Sequence, residues 1–109
     1  MTRRSEFARV REGGRSTAGR YLVMATLEDA GLEGLKFGFV TSKRVGNAVV
    51  RNRVRRQLRS IVRDCGDELS LGRYVVMIAR FRAGKASFEE LQQDWRKLVK
   101  RLQIRKEGA

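Results

Sequence analysis

The chain has no histidine and no proline, and Cys65 is the single cysteine among its 109 residues. One cysteine excludes an internal disulfide and a cysteine-based zinc cluster, and without histidine zinc chemistry is nearly ruled out. On the apolar side of a helix end just before Gly66, Cys65 reads as a small buried hydrophobe. The lack of proline fits a compact domain without a rigid spacer, and no repeat or low-complexity tract interrupts residues 1–109, which read as one domain. The longest apolar runs, around Tyr21 to Leu27 and Tyr74 to Ala79, fall far short of the roughly 20 residues that span a bilayer. The start, Met1-Thr2-Arg3-Arg4-Ser5-Glu6-Phe7, is charged but has no apolar core of a signal peptide, so the expected location is cytoplasmic.

Negative charge is scarce overall and absent where it would matter most. Lys and Arg number 25 against 12 Asp and Glu, a net charge of +13, which marks a basic domain built to meet a polyanion. From Gly34 through Arg63 there is no acidic residue at all. Within that span, Gly46 and Asn47 open a helix that runs to about Cys65, with Asn47 as cap and Gly66 as stop. Wound at about 100° per residue, Val50, Val54, Leu58, Ile61, Val62 and Cys65 share one face, and Asn52, Arg55, Arg56, Arg59 and Arg63 share the other. Arg51/Arg55, Arg55/Arg59 and Arg59/Arg63 are like-charge pairs one turn apart, each costing an isolated helix roughly 0.2–0.5 kcal/mol. A solvated helix would mix signs, so the missing counter-charge is expected to come from a partner.

The remaining pattern is that of a small α+β domain. Phe7 and Val10 mark a short helix over Ser5 to Arg11, broken by Gly13 and Gly14. Tyr21 to Leu27 and Lys36 to Thr41 read as strands joined by a turn, with room for a further short strand around Ser16 to Gly19. Arg73 to Arg80 is nearly all apolar, as in a strand covered on both faces. Ser87-Phe88-Glu89-Glu90 is a capping box ahead of Phe88, Leu91, Trp95, Leu98, Val99 and Leu102 at helical spacing. The acids offer no nuclease centre. Asp64, Asp67 and Glu68 read as a solvated helix end, and Glu89, Glu90 and Asp94 suit the dipole of the last helix. No catalytic and no metal-ligating residue is assigned, because phosphodiester hydrolysis needs a base or metals held by convergent carboxylates.

Phe37 to Arg59, centred on Arg51-Asn52-Arg53, resembles the signature of the protein subunit of bacterial ribonuclease P. Arg4-Ser5-Glu6-Phe7 with its Gly-Gly-Arg turn, and Tyr74 to Arg80 with the capped helix after it, extend the resemblance over almost the whole chain. It implies a two-layer α-β sandwich. A four-stranded mixed sheet carries a long basic helix in a left-handed βαβ crossover, flanked by a short N-terminal and a long C-terminal helix. Spacing alone favours the opposite hand. The resemblance also implies a role as RNA-binding protein partner of a catalytic RNA that removes the 5′ leader of precursor tRNA, with the active site, and the Mg2+ it needs, on the RNA.

By the same resemblance, Arg51, Asn52, Arg53, Arg55, Arg56 and Arg59 contact RNA, a task suited to the planar guanidinium fork. Arg51 and Arg53 flank the outward arc, so one of them could instead cap or brace the fold. A second surface, a cleft between first helix and sheet, takes the single-stranded leader; its expected residues are Phe7, Arg11, Tyr21, Phe39, Ser42, Lys43, Arg44 and Arg80. Phe7 is the foremost stacking residue. Alternation puts Phe37 and Phe39 on one face without saying whether that face is cleft or core. Arg11 stands where many family members have a second aromatic, so a cation contact replaces stacking there. Family members commonly carry further residues before the first helix, which leaves open a start upstream of Met1.

Three other readings compete. A small basic ribosomal protein would bind structured RNA without a leader cleft. Lys36 to Val40 hints at an RNA-recognition motif but lacks its leading glycine, and a basic membrane-surface protein is disfavoured because the apolar stripe is needed for a core. Whichever RNA is bound, the charge excess predicts that a polyanion raises the thermal unfolding midpoint. Differential scanning fluorimetry with and without RNA checks this, and an unchanged midpoint would contradict it.

Overall fold

The computed structural model describes residues 4–106. In chain order the elements are α1 (Arg4–Gly13), β1 (Arg15–Ala18), β2 (Leu22–Glu28), β3 (Leu35–Thr41), α2 (Ala48–Cys65), β4 (Arg73–Ala79) and α3 (Phe88–Leu102). The sheet runs β1-β2-β4-β3; β1/β2 and β2/β4 are antiparallel and β3/β4 parallel. The expected short strand is therefore real and forms one edge as β1. It lacks apolar alternation because an edge strand of sequence Arg15-Ser16-Thr17-Ala18 is largely exposed.

β4 is central, and six of its seven residues are buried. Its two faces serve two apolar clusters. Val75, Met77 and Ala79 join Leu22 and Met24, the α2 stripe and α3 in the main core, where Phe37 lies 6.4 Å from Trp95 between ring centroids. Tyr74 and Val76 face the other way with Ala25, against Val10 of α1. So α2 and α3 cover one face of the sheet, and α1 crosses the other.

The crossover from β3 through α2 to β4 is left-handed, and the backbone shows why. Arg80 donates its N–H to the Tyr21 carbonyl (2.8 Å) and Arg73 donates to the Gly34 carbonyl ahead of β3 (3.4 Å), so even-numbered residues of β4 bond toward β2 and odd-numbered ones toward β3. The odd residues also turn their side chains to the helix layer. For L-residues, an upward strand with side chains toward the viewer bonds to the neighbour on its right. β3 thus lies right of β4, and the chain moves leftward across the helix layer, against the usual hand.

Local signals end the helices as the residues suggest. The Asn47 side chain accepts the Val50 N–H (3.0 Å) at the start of α2, and Ser87 and Glu90 complete a reciprocal capping box on α3. Gly46 has φ 153°, and a Cβ there would lie 2.8 Å from Val50 side-chain atoms, so only glycine makes this entry.

Asp94 departs from its expected role. It is 4% exposed and reaches from α3 under the β1–β2 turn, where its carboxylate accepts the N–H groups of Arg20 (3.2 Å), Tyr21 (2.9 Å) and Leu22 (2.9 Å). A favourable place near the helix start is secondary to tying the hairpin to α3. Asp94→Ala leaves three turn amides without that partner and is expected to cost about 2–3 kcal/mol, the worth of a bond to a charged group. Urea unfolding of the RNA-free protein measures it, and an unchanged midpoint would contradict the assignment.

Candidate nucleic-acid interface

The orientation of α2 follows from its apolar stripe. Val54, Leu58 and Ile61 are fully buried, which turns Asn52, Arg56, Arg59 and Arg63 outward into solvent. The acid nearest this face is Asp64, paired with Arg63 at 3.4 Å. Among the described residues, Arg56 and Arg59 form no ion pair, so no described acid relieves their mutual repulsion.

The six residues grouped on the Arg-Asn-Arg motif do not all share that surface. Asn52, Arg56 and Arg59 are exposed, whereas Arg51, Arg53 and Arg55 are half-buried. Arg53 turns inward and donates to the Gly84 carbonyl, bracing the 3-10 segment Phe81–Lys85 that follows β4. Arg55 spans from the Thr41 hydroxyl (2.6 Å) to the Asn52 side-chain oxygen (3.2 Å), which holds its guanidinium at the end of β3. Arg53 is therefore a structural arginine, and Arg55 is fixed in place before any ligand arrives.

Ser42 and, in the 3-10 turn Lys43–Val45 that follows it between β3 and α2, Lys43 and Arg44 are exposed, the turn being anchored by buried Val45. They lie just beyond Val40, whose side chain faces a groove on the opposite layer. That groove, about 270 Å³, lies between α1 and the sheet. Val23, Ala25, Val76 and Ile78 form an apolar floor, while Phe7, Arg11 and Arg15 stand on its α1 and β1 side, and no acid is among the lining residues. Gly14 lets the turn from α1 into β1 pack closely on β2, since a Cβ there would meet the Thr26 and Val10 carbonyl oxygens at 2.4 and 2.5 Å.

Three expected groove residues are elsewhere. Phe39 and Tyr21 both pack against the main core on the helix face. Residues of β3 alternate, and the odd ones, including Phe37 and Phe39, turn toward α2 and α3; Val40, one position on, faces the groove instead. Tyr21 precedes β2 and donates its hydroxyl to Glu90 Oε2 at 2.5 Å. Arg80 does not line the groove either, as its guanidinium donates to the Gly19 carbonyl (2.6 Å) and braces the β1–β2 turn. The floor residues Val23, Ala25, Val76 and Ile78 were not anticipated. Alternation separates them from Leu22, Met24, Val75 and Met77, but it does not say which face α1 covers.

Among the described residues, no three acidic or cysteine side chains gather into a metal site. No helix among them is long and apolar enough to cross a membrane.

The chain matches the family model "Ribonuclease P" over residues 1–103. It is 40% identical over 96 residues to the ribonuclease P protein component of Syntrophomonas wolfei, covering 88% of this chain and 80% of that one. It is 36% identical over 109 residues to that of Bacillus velezensis, covering 100% and 93%. Its fold superposes on the solved RNase P protein of Staphylococcus aureus with a TM-score of 0.89 at 24% identity, over 97% of this chain and 96% of that one. An arginine-faced helix without counter-charge, an apolar groove rimmed by arginines and a match of this length agree, and the chain belongs to the ribonuclease P protein family.

Proposed function

We propose that the chain is the RNA-binding protein subunit of ribonuclease P, which joins a catalytic RNA and assists the hydrolytic removal of the 5′ leader from precursor tRNA. The observation that supports this reading is the placement of an arginine-rich helix and an apolar groove on opposite faces of one sheet. Asn52, Arg56 and Arg59, with Arg55 held beside them, present charge and donors to a folded RNA backbone. The groove under α1 offers an apolar floor and one aromatic, Phe7, at its edge, which suits a single strand of any sequence, because stacking discriminates little between bases.

Lys43 and Arg44, at the end of β3, supply charge between the two surfaces, and Arg11 adds a cation to the groove where stacking is absent. In this reading the Mg2+ that the family resemblance implies for the reaction is held by the RNA. The protein raises the local concentration and order of substrate by holding leader and catalytic RNA together. A ribosomal protein would have no use for the α1 groove, and the family match speaks against it.

Reconstitution with bacterial ribonuclease P RNA at low magnesium is expected to stimulate 5′ processing of precursor tRNA; absence of stimulation would sink the reading. Phe7→Ala should weaken binding of leader-bearing precursor by about 5-fold or more, the worth of one stacked base, while sparing mature tRNA. Arg56→Ala should instead lower affinity for the catalytic RNA and flatten its salt dependence. Equal effects of both variants on both RNAs would contradict two separate surfaces.

A further inference from the structure

Phe81 belongs to neither surface. It is the only aromatic among the large apolar side chains that stand exposed in the described residues, at 59%. It opens the Phe81–Lys85 segment, and the Arg82 guanidinium lies 5.4 Å from its ring centroid. Phe81 shares the lining of a groove of about 350 Å³ with Tyr21, whose ring carries the Arg20 guanidinium at 5.4 Å. Lys85 and Glu90 complete the lining. Three cations thus meet one acid, around two aromatic rings each accompanied by an arginine.

The acid is already engaged. Glu90 accepts the Ser87 N–H (3.0 Å) and the Tyr21 hydroxyl (2.5 Å), bonds that hold its carboxyl below the usual range. Its role is to cap α3 and fix the tyrosine, which leaves Arg20, Arg82 and Lys85 as the charges open to a ligand. An exposed ring with flanking cations is the arrangement that stacks a base and holds its phosphate.

This groove lies on the same side of the sheet as α2. The Phe81–Lys85 segment is fastened to α2 by the contact of Arg53 with the Gly84 carbonyl, and Tyr21 lies on the helix face of the sheet. The groove under α1 is on the other face. We propose that the Phe81–Tyr21 groove binds an unpaired nucleotide of the same RNA that the α2 arginines hold: the base stacks on Phe81, and Arg20 and Lys85 take the adjoining phosphate. This rests on the function proposed above and adds a third contact site, distinct from the arginine helix and the leader groove.

The test uses the full chain and ribonuclease P RNA, with affinity measured by filter binding over a salt series and folding checked by circular dichroism. Phe81→Ala is expected to weaken binding about 5- to 100-fold with the salt slope unchanged, because stacking and not charge is lost. Phe81→Trp should restore it and the equally apolar Phe81→Leu should not. Lys85→Ala should reduce the slope by about 0.7, one phosphate contact to a single strand. Undiminished affinity of Phe81→Ala, or full rescue by leucine, would overturn the proposal. If the unaltered chain fails to bind this RNA, the proposed function falls and the nucleotide site with it.

Discussion

Burial of the α2 stripe against the sheet is the contact on which the other features depend. Val54, Leu58 and Ile61 are fully buried there, and each such side chain contributes about 1.5–3 kcal/mol relative to exposure. The three like-charge arginine pairs along the helix cost only about 0.2–0.5 kcal/mol each. Packing therefore wins, and the arginines are held facing outward in spite of their mutual repulsion. Since the same helix connects parallel β3 and β4, its docking also sets the crossover, and with it the place of Lys43 and Arg44 at the end of β3.

The sheet is shared between two tasks. β4 sends Val75, Met77 and Ala79 to the helix core and Tyr74 and Val76 to the α1 side. The floor of the groove is thus the back of the wall on which α2 rests. One layer of backbone separates the arginine face's support from the apolar groove, so two RNA segments bound as proposed on the two sides would be kept at a set spacing by the thickness of the fold. Rigid spacing of this kind contributes to an RNA enzyme by orientation, which requires no reactive group from the protein.

Braces at the chain's turns keep these surfaces in register. Asp94 holds the β1–β2 turn to α3, Arg80 bonds the same turn through the Gly19 carbonyl, and Arg53 ties α2 to the segment after β4. In a chain with this excess of positive charge, two of the arginines that look like ligand contacts, Arg53 and Arg80, instead donate to backbone carbonyls, which leaves the exposed ones better defined. The Tyr21–Glu90 bond acts similarly, placing a ring at the rim of the second aromatic groove.

The sequence by itself determined what short-range physics controls. The Asn47 cap, the Ser87–Glu90 box, the arginine face of α2 and the burial of β4 all follow from residues a few positions apart, so their bounds were legible to within a residue or two. The Arg-Asn-Arg signature added the family, and with it the unusual crossover hand that spacing would have reversed. Only the tertiary structure decided which face of the sheet α1 covers, and that choice made Val23 and Ala25 groove floor while sending Phe39 and Tyr21 to the core. The same holds for Asp94 and Arg53, whose partners lie 72–74 and 31 residues away. Alternation divides a strand's residues into two sets but carries no information about what packs on each, because that depends on contacts between segments distant in the chain.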